Sequence, residues 1–278
     1  MNVTGQDVHA TIEHAEAIIF DIDGSVVLGE AARSGARELI STLRKRNKRL
    51  LFLSNDSNTS TAGLCRRLNR IGLDACLEDI LTPVTLAGRY IAEGYGACGV
   101  SVLGSEALRA SVVKAGHTIC DASGCDVVLV GRDQQFSFRR LEAATASIQR
   151  GSGFVATNLD LSHPVDNGML SPQTGSLVAS IAAVCGTVPD LIGKPSSYLF
   201  SYAKKRLAVA AERTVMIGDN PTTDILGGNR QGFVTILLRG AMTRSPSPFV
   251  RRLEQLFQDS PPDEMLPDFE VDELPTLK

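Results

Sequence analysis

The absences in this chain exclude several classes of protein. It carries only four histidines and six cysteines in 278 residues. No two cysteines form a Cys-x-x-Cys pair, and no histidine stands at zinc-ligand spacing beside Cys120 and Cys125, so the spacing offers no zinc ribbon and no dithiol redox motif. Cys65, Cys76, Cys98, Cys120, Cys125 and Cys185 read as reduced thiols acting as small hydrophobes. The longest plain apolar stretch, 177–185, is broken by Ser180 and is too short to span a bilayer. The first sixteen residues hold three acids and no Lys or Arg, without the basic region and apolar core of a signal peptide; a cytoplasmic protein is the expectation. Positive charge is not in excess either. The net charge is −3, so the overall balance points to neither nucleic acid nor a membrane surface. There is no internal repeat and no low-complexity block.

What is present is a soluble globular composition, 43% hydrophobic and 21% charged, in which strand-like and helix-like segments alternate. Strands are expected at 17–21, 49–53, 99–103, 126–130, 153–156, 213–217 and 233–238. Helical patterns fall at 35–46, 59–71, 84–93, 105–115, 138–149, 174–185, 197–209, 222–230 and 248–257. Continuous Val/Ile/Leu runs alternating with helices predict an α/β fold with parallel strands buried on both faces. Leu81-Thr82-Pro83 and the stretch near Pro189 mark boundaries. They predict a core built from 1–81 and 191–278, with a domain inserted at 82–190. The tail from Asp259, rich in proline and acid, is expected to wrap the surface or end a sheet edge.

The chemistry sits at strand ends. Ala17 to Phe20 is an apolar run that ends in Asp21-Ile22-Asp23-Gly24. Side chains two apart on extended chain point the same way, so Asp21 and Asp23 are expected to project together where open α/β sheets bind ligands. Paired carboxylates repel unless a cation or a shared proton relieves them; either one can attack or shuttle protons. Ser54 and Asn55 follow the second strand. They read as phosphate-oxygen donors or as caps of the helix from Thr59. Lys194, in Gly193-Lys194-Pro195 before a helix, adds charge to a helix start suited to anions, or is an exposed loop lysine. Thr214 to Ile217 is a further apolar run ending in Gly218-Asp219-Asn220, with Asp224 five residues after Asp219. Asp219 supplies the third carboxylate; Asp224 alone reads as a capping residue. The basic run from Arg44 to Arg49 is better explained by a helix C-terminus and solvation than by nucleic acid.

Strand-DxDG, strand-SN, GKP-helix and strand-GDxxxxD, in this order, resemble the haloacid dehalogenase superfamily. Within it the chain is similar to the capped NagD-like and p-nitrophenyl-phosphatase type. Gly131-Arg132-Asp133, Thr157-Asn158-Leu159-Asp160 and Gly175-Ser176 in the insert resemble its C2-type cap. Ser34-Gly35 stands where Pro-Gly is usual, a departure expected to affect only a loop; the loop at 161–172 matches no part of the pattern.

The resemblance implies a Rossmann-like core with an inserted α/β C2-type cap, and a Mg²⁺-dependent phosphatase of small phosphorylated metabolites. The substrate classes it implies are sugar phosphates, nucleoside monophosphates, phosphoglycolate and pyridoxal phosphate. It makes Asp21 the nucleophile that forms an aspartyl-phosphate and Asp23 the general acid and base. Mg²⁺ would take the Asp21 carboxylate, the Asp23 backbone carbonyl and Asp219. Gly24, Ser54, Asn55 and Lys194 would surround the phosphoryl oxygens, with Asn220 and Asp224 in support. Asn158, Asp160, His163 and Asp133 are candidates for substrate contact, although His163 also reads as a surface histidine. The pattern implies no nucleic-acid or membrane partner and allows a homodimer. Two other readings stand beside it: a catalytically silent regulatory protein on the same fold, and a phosphotransferase to an acceptor other than water.

Overall fold

The computed structural model describes residues 5–165, 169–240, 248–257 and 261–277. Residues 1–4 of the polar start, 166–168 of the loop at 161–172, and 259, 260 and 278 of the acidic tail lie outside the described residues. Helix α1 (Gly5–His14) leads into β1 (Ala17–Asp21). A small hairpin, β2 (Val27–Leu28) and β3 (Ala31–Ala32), precedes α2 (Ala36–Lys45), β4 (Arg49–Leu53), α3 (Thr61–Arg70) and β5 (Ile80–Leu81). The next series runs α4 (Pro83–Tyr95), β6 (Gly99–Leu103), α5 (Glu106–Lys114), β7 (Thr118–Ile119), β8 (Val127–Val130), α6 (Phe138–Gln149) and β9 (Gly153–Ala156). It continues through the hairpin β10 (Ser162–Pro164) and β11 (Leu170–Pro172) to α7 (Thr174–Cys185) and β12 (Asp190–Leu191). The chain closes with α8 (Ser197–Leu207), β13 (Thr214–Gly218), α9 (Leu226–Arg230), β14 (Val234–Leu238), α10 (Pro248–Phe257) and β15 (Phe269–Val271).

Two parallel sheets carry the fold. The first has the order β15-β14-β13-β1-β4-β5, the second β12-β9-β8-β6-β7, and every pairing within them is parallel. In the first sheet the chain moves from β1 outward to β4 and β5, then returns to the other flank of β1 as β13. That reversal is the topological switch point at which α/β sheets open a ligand crevice. It places the carboxyl ends of β1 and β13 side by side.

Alternation along β1 explains its central position. Ile18 and Phe20 join one core with α1 and α2, through Val8, Ile12, Leu39 and Ile40, and the Phe20 and Phe52 rings stack at 5.9 Å. Ala17 and Ile19 face the other way. They share a second cluster with Val84 and Ile91 of α4, Val100 and Val102 of β6, and Leu129 of β8. A strand with both faces covered has no room for a polar residue until its end, where Asp21 stands.

The long strands lie within a residue of their expected limits. The helices lie within two residues, except that the expected 222–230 begins as a π turn over Pro221–Ile225. Two features differ from expectation, and a third, the tail at the sheet edge, agrees with it. Helix α1 was not anticipated in the polar start, yet Val8 and Ile12 are buried on its inner face. Strand β12 pairs with β9, so the second sheet runs through Leu191 and crosses the boundary drawn between 190 and 191. The acidic tail supplies the edge strand β15 against β14 and buries Leu274 and Leu277 in the first core.

The basic run is consumed locally. Arg44 pairs with Asp79, Arg46 with Glu13 at 3.3 Å, Lys48 donates to the Glu13 carbonyl at 2.6 Å, and Arg49 donates to the Leu207 carbonyl. The six cysteines are free thiols. His117 bonds the Gly88 carbonyl in α4 at 2.8 Å and lies 3.6 Å from Cys98 Sγ. Burial pushes that thiol up, so the pair serves packing rather than thiolate chemistry. No helix among the described residues is long and apolar enough to cross a membrane.

Helix α9 crosses α8 at Gly227, where an added Cβ would lie 2.0 Å from the buried ring of Phe200. We expect Gly227→Ala to destabilise the protein by about 1–3 kcal/mol, the usual cost of overpacking, measured by urea unfolding.

Candidate active site

Asp21 ends β1, Asp219 directly follows β13, and Asp224 lies in the π turn that starts the next helix. The carboxylate oxygens of these three residues lie within 4.8 Å of one another. Lys194 reaches them from the segment between β12 and α8. Its Nζ donates to Asp21 Oδ1 at 2.5 Å and to Asp224 Oδ1 at 2.7 Å. Lys194, Asp21 and Asp224 are all buried. Burial disfavours the Lys194 charge, but Asp21 and Asp224 outweigh it and hold the ammonium above its ordinary range. Burial also pushes Asp21 well up against the opposing pull of Lys194, with Asp224 and Asp219 adding to the rise. Asp219 is pushed up to about 7, first by burial and then by Asp224, against Lys194 and Arg33.

When fully ionised, three carboxylates facing one ammonium carry an excess of two negative charges. Asp21 Oδ2 is buried with no hydrogen-bond partner. Hard oxygen donors with a net charge of −2 suit a divalent cation of the Mg²⁺ or Ca²⁺ kind, so the residues present fit the metal that the sequence implied. Gly24 permits the close approach. Its φ is +96°, and a Cβ there would stand 2.2 Å from Asp219 Oδ2.

The side chain of Asp23 does not join this group, which corrects the expectation that it projects beside Asp21. Strand β1 ends at Asp21, so the alternation that would align the two is broken. Asp23 is exposed and pairs with Arg67 of α3 at 2.8 Å; Asp224 takes the third place among the carboxylates. Asn220 supports the π turn: its Oδ1 accepts from Thr222 N at 2.9 Å, and its N–H donates to Asp224 Oδ2 at 3.2 Å.

Ser54 is buried and its Oγ accepts from Asp56 N–H at 3.1 Å. The Asn55 side chain clamps the Lys194 peptide, accepting from its N–H at 2.8 Å and donating to its carbonyl at 3.2 Å. Asn158 donates to the Asn55 carbonyl at 2.8 Å, and Asp160 lies 3.4 Å from Asn55 Nδ2. Burial pushes the Asp160 carboxyl up, opposed chiefly by Lys194. These contacts bring Asn158 and Asp160 of the insert to Asn55 and so beside Lys194. The other two insert candidates are placed differently. His163 is exposed on β10, near enough to Asp160 to favour its charge. Asp133 is held by Arg140 at 2.6 Å and by Gln135 N–H at 2.9 Å.

Three residues outside the sequence motifs complete the arrangement. Ser57 is buried against the insert, accepting from Arg132 N–H at 3.0 Å and, through its carbonyl, from Ser105 at 2.8 Å. Arg67 holds Asp23. Arg33 donates to the Gly24 carbonyl at 2.9 Å. None stands directly after one of the long apolar strands or in a spaced motif, so no sequence signal marks them.

Carboxylates gathered on one lysine at the switch point of a parallel sheet, beneath a second sheet inserted into the chain, define a capped α/β hydrolase. A family model described as haloacid dehalogenase-like hydrolase matches residues 18–118, and a second, HAD-hydrolase-like, matches 191–270. Chronophin of Mus musculus is 36% identical over 244 residues, 84% of each chain. The acid sugar phosphatase of Staphylococcus aureus (strain USA300) is 29% identical, over 80% of this chain and 85% of that protein. The structure of the p-nitrophenyl phosphatase from Archaeoglobus fulgidus superposes with a TM-score of 0.81 at 27% identity, covering 94% and 97% of the two chains. The 4-nitrophenylphosphatase of Thermotoga maritima gives 0.80 at 29% identity, covering 96% and 97%. The chain belongs to the haloacid dehalogenase-like hydrolase family, on its NagD-like, p-nitrophenyl-phosphatase branch, and is a phosphoric monoester hydrolase.

The charge imbalance has a thermodynamic signature. Asp219 has a folded pKa of about 7, above the unfolded carboxylate range, so its contribution weakens the fold as pH rises between about 4 and about 7. Without metal, we expect stability to fall from pH 5 to pH 7.5. A bound cation should offset that loss, so added MgCl₂ should raise the melting temperature more at pH 7.5 than at pH 5.5. Asp219→Asn should flatten both effects in differential scanning calorimetry.

Proposed function

We propose that the protein is a Mg²⁺-dependent phosphatase of small phosphorylated metabolites acting through an aspartyl-phosphate on Asp21. The observation that carries this reading is the Asp21 carboxylate itself: buried, paired with Lys194 on Oδ1, unpartnered on Oδ2, and grouped with Asp219. Asp21 attacks phosphorus as the bond to the leaving oxygen breaks. Asp23, released from Arg67 and protonated from solvent as substrate binds, gives that proton to the leaving alkoxide, then takes one back from the water that hydrolyses the intermediate. Lys194, held by Asn55 and Asp224, faces the phosphoryl oxygens. Asp21 and Asp219, with the Asp23 carbonyl, would hold Mg²⁺, which supplies charge neutralisation for phosphoryl transfer. Gly24, Ser54 and the Asn55 N–H border the phosphate position.

The substrate reading follows from the insert, treated as a cap domain over residues 82–190 and extended through Leu191 by β12. Asn158 and Asp160 meet Asn55, whose side chain clamps Lys194, and an insert bonded this closely to the core loops favours a small ligand over a folded partner. Because an acid sugar phosphatase is among the relatives, sugar phosphates lead the candidates, ahead of nucleoside monophosphates, phosphoglycolate and pyridoxal phosphate.

The test is hydrolysis of p-nitrophenyl phosphate with and without Mg²⁺, followed by a panel of those metabolites. We expect metal-dependent turnover, no measurable turnover in Asp21→Asn, and a kcat about 10²–10⁴-fold lower in Asp23→Asn. Wild-type protein with no metal-dependent turnover would sink the reading.

A further inference from the structure

Arg33 carries no motif and follows β3, next to the Ser34-Gly35 departure. It is buried, and its guanidinium donates to three backbone carbonyls from distant parts of the chain: Gly24 at 2.9 Å, Arg239 at 2.7 Å and Asp272 at 3.1 Å. Among the described residues no carboxylate closes on it as an ion pair. A buried arginine satisfied only by neutral carbonyls retains its field, and that field reaches Asp219 and favours its ionised form. The geometry makes Arg33 a crosslink. Gly24 lies against the Asp219 carboxylate, with its N–H bonded to the Val27 carbonyl at 2.9 Å and its C=O to Arg33. Asp272 follows β15, whose Val271 carbonyl accepts from Arg239 N–H at 2.7 Å. Leu274 and Leu277 anchor that segment in the core.

We propose that Arg33 is a positioning residue that ties the Asp23-Gly24 loop to the C-terminal strand, so that the tail sets the spacing between that loop and Asp219. The proposal rests on the phosphatase reading and deepens it. Displacement of a reacting group by about 1 Å can cost about 10²-fold in rate, and removal of Arg33 frees one end of the Gly24 peptide.

The experiment compares wild-type, Arg33→Met, Arg33→Ala and Arg33→Lys proteins. It reads kcat and KM for p-nitrophenyl phosphate together with the melting temperature, and adds guanidinium chloride at millimolar concentration. We expect kcat to fall about 10–100-fold in Arg33→Met and Arg33→Ala, with KM within about threefold. Arg33→Lys should lie between these and wild type, and guanidinium should restore Arg33→Ala but not Arg33→Met. Leu274→Ala, which loosens the tail without touching Arg33, should also lower kcat, and adding Arg33→Met to it should cost less than the product of the two single effects. A kcat within twofold of wild type in folded Arg33→Ala overturns the proposal, as does full additivity with Leu274→Ala. An inactive wild-type protein would instead overturn the phosphatase reading.

Discussion

A single ammonium set among three carboxylates governs the arrangement. Lys194 is buried between Asp21 and Asp224, and burial is tolerable for such charges only when they are paired and hydrogen-bonded. Everything that brings these groups together follows from that requirement. β1 and β13 must lie side by side to deliver Asp21 and Asp219. The π turn must fold Asp224 back, and Asn55 must clamp the lysine peptide. The pairing is deliberately incomplete in charge, since one cation faces three anions, and the remaining demand for positive charge is what an incoming metal meets. The site is thus held together in spite of a deficit that the polypeptide alone does not satisfy.

Placement at the switch point of the sheet explains why only short-range geometry is needed to build such a site. Parallel strands deliver their carboxyl ends to one edge, and both faces of β1 are covered by apolar side chains. The strand interior is therefore closed to polar residues and its end is the first position open to them. The insert then enters from above. Its contacts to the core loops are polar and specific: Asn158 to Asn55, and Ser57 to Arg132 and Ser105.

Much of this was legible in the chain because it is encoded by periodicity and by strand termini. Runs such as Arg49–Leu53 and Thr214–Gly218 announce buried parallel strands, and the residues at their ends announce the candidate site; Asp21 and Asp219 were singled out that way, and Lys194 from the Gly-Lys-Pro before a helix. The rest was hidden for physical reasons. Asp23 was expected beside Asp21 because alternation was extended two residues past the strand, and the turn at Ile22 rotates it toward Arg67 instead. Helix α1 looked polar because Val8 and Ile12, spaced by one turn, are nearly its only large apolar residues. Strands β7, β12 and β15 are two or three residues long, below the length at which a pattern exists. Arg33 and Arg67 act on groups remote in sequence, so nothing local marks them. The Ser34-Gly35 departure, expected to matter only to a loop, adjoins the residue that links that loop to the other end of the chain.

The helix α4 occupies an unusual place, because its apolar side packs into a cluster shared by strands of both sheets. The two layers therefore share one interior besides the cluster each keeps to itself, and neither is expected to melt without disturbing the other. This bears on how such a protein diversifies. Substitutions in the strands of the insert are felt in the catalytic layer, whereas its loops lie outside the shared interior. Change that leaves the shared interior intact is therefore expected in those loops.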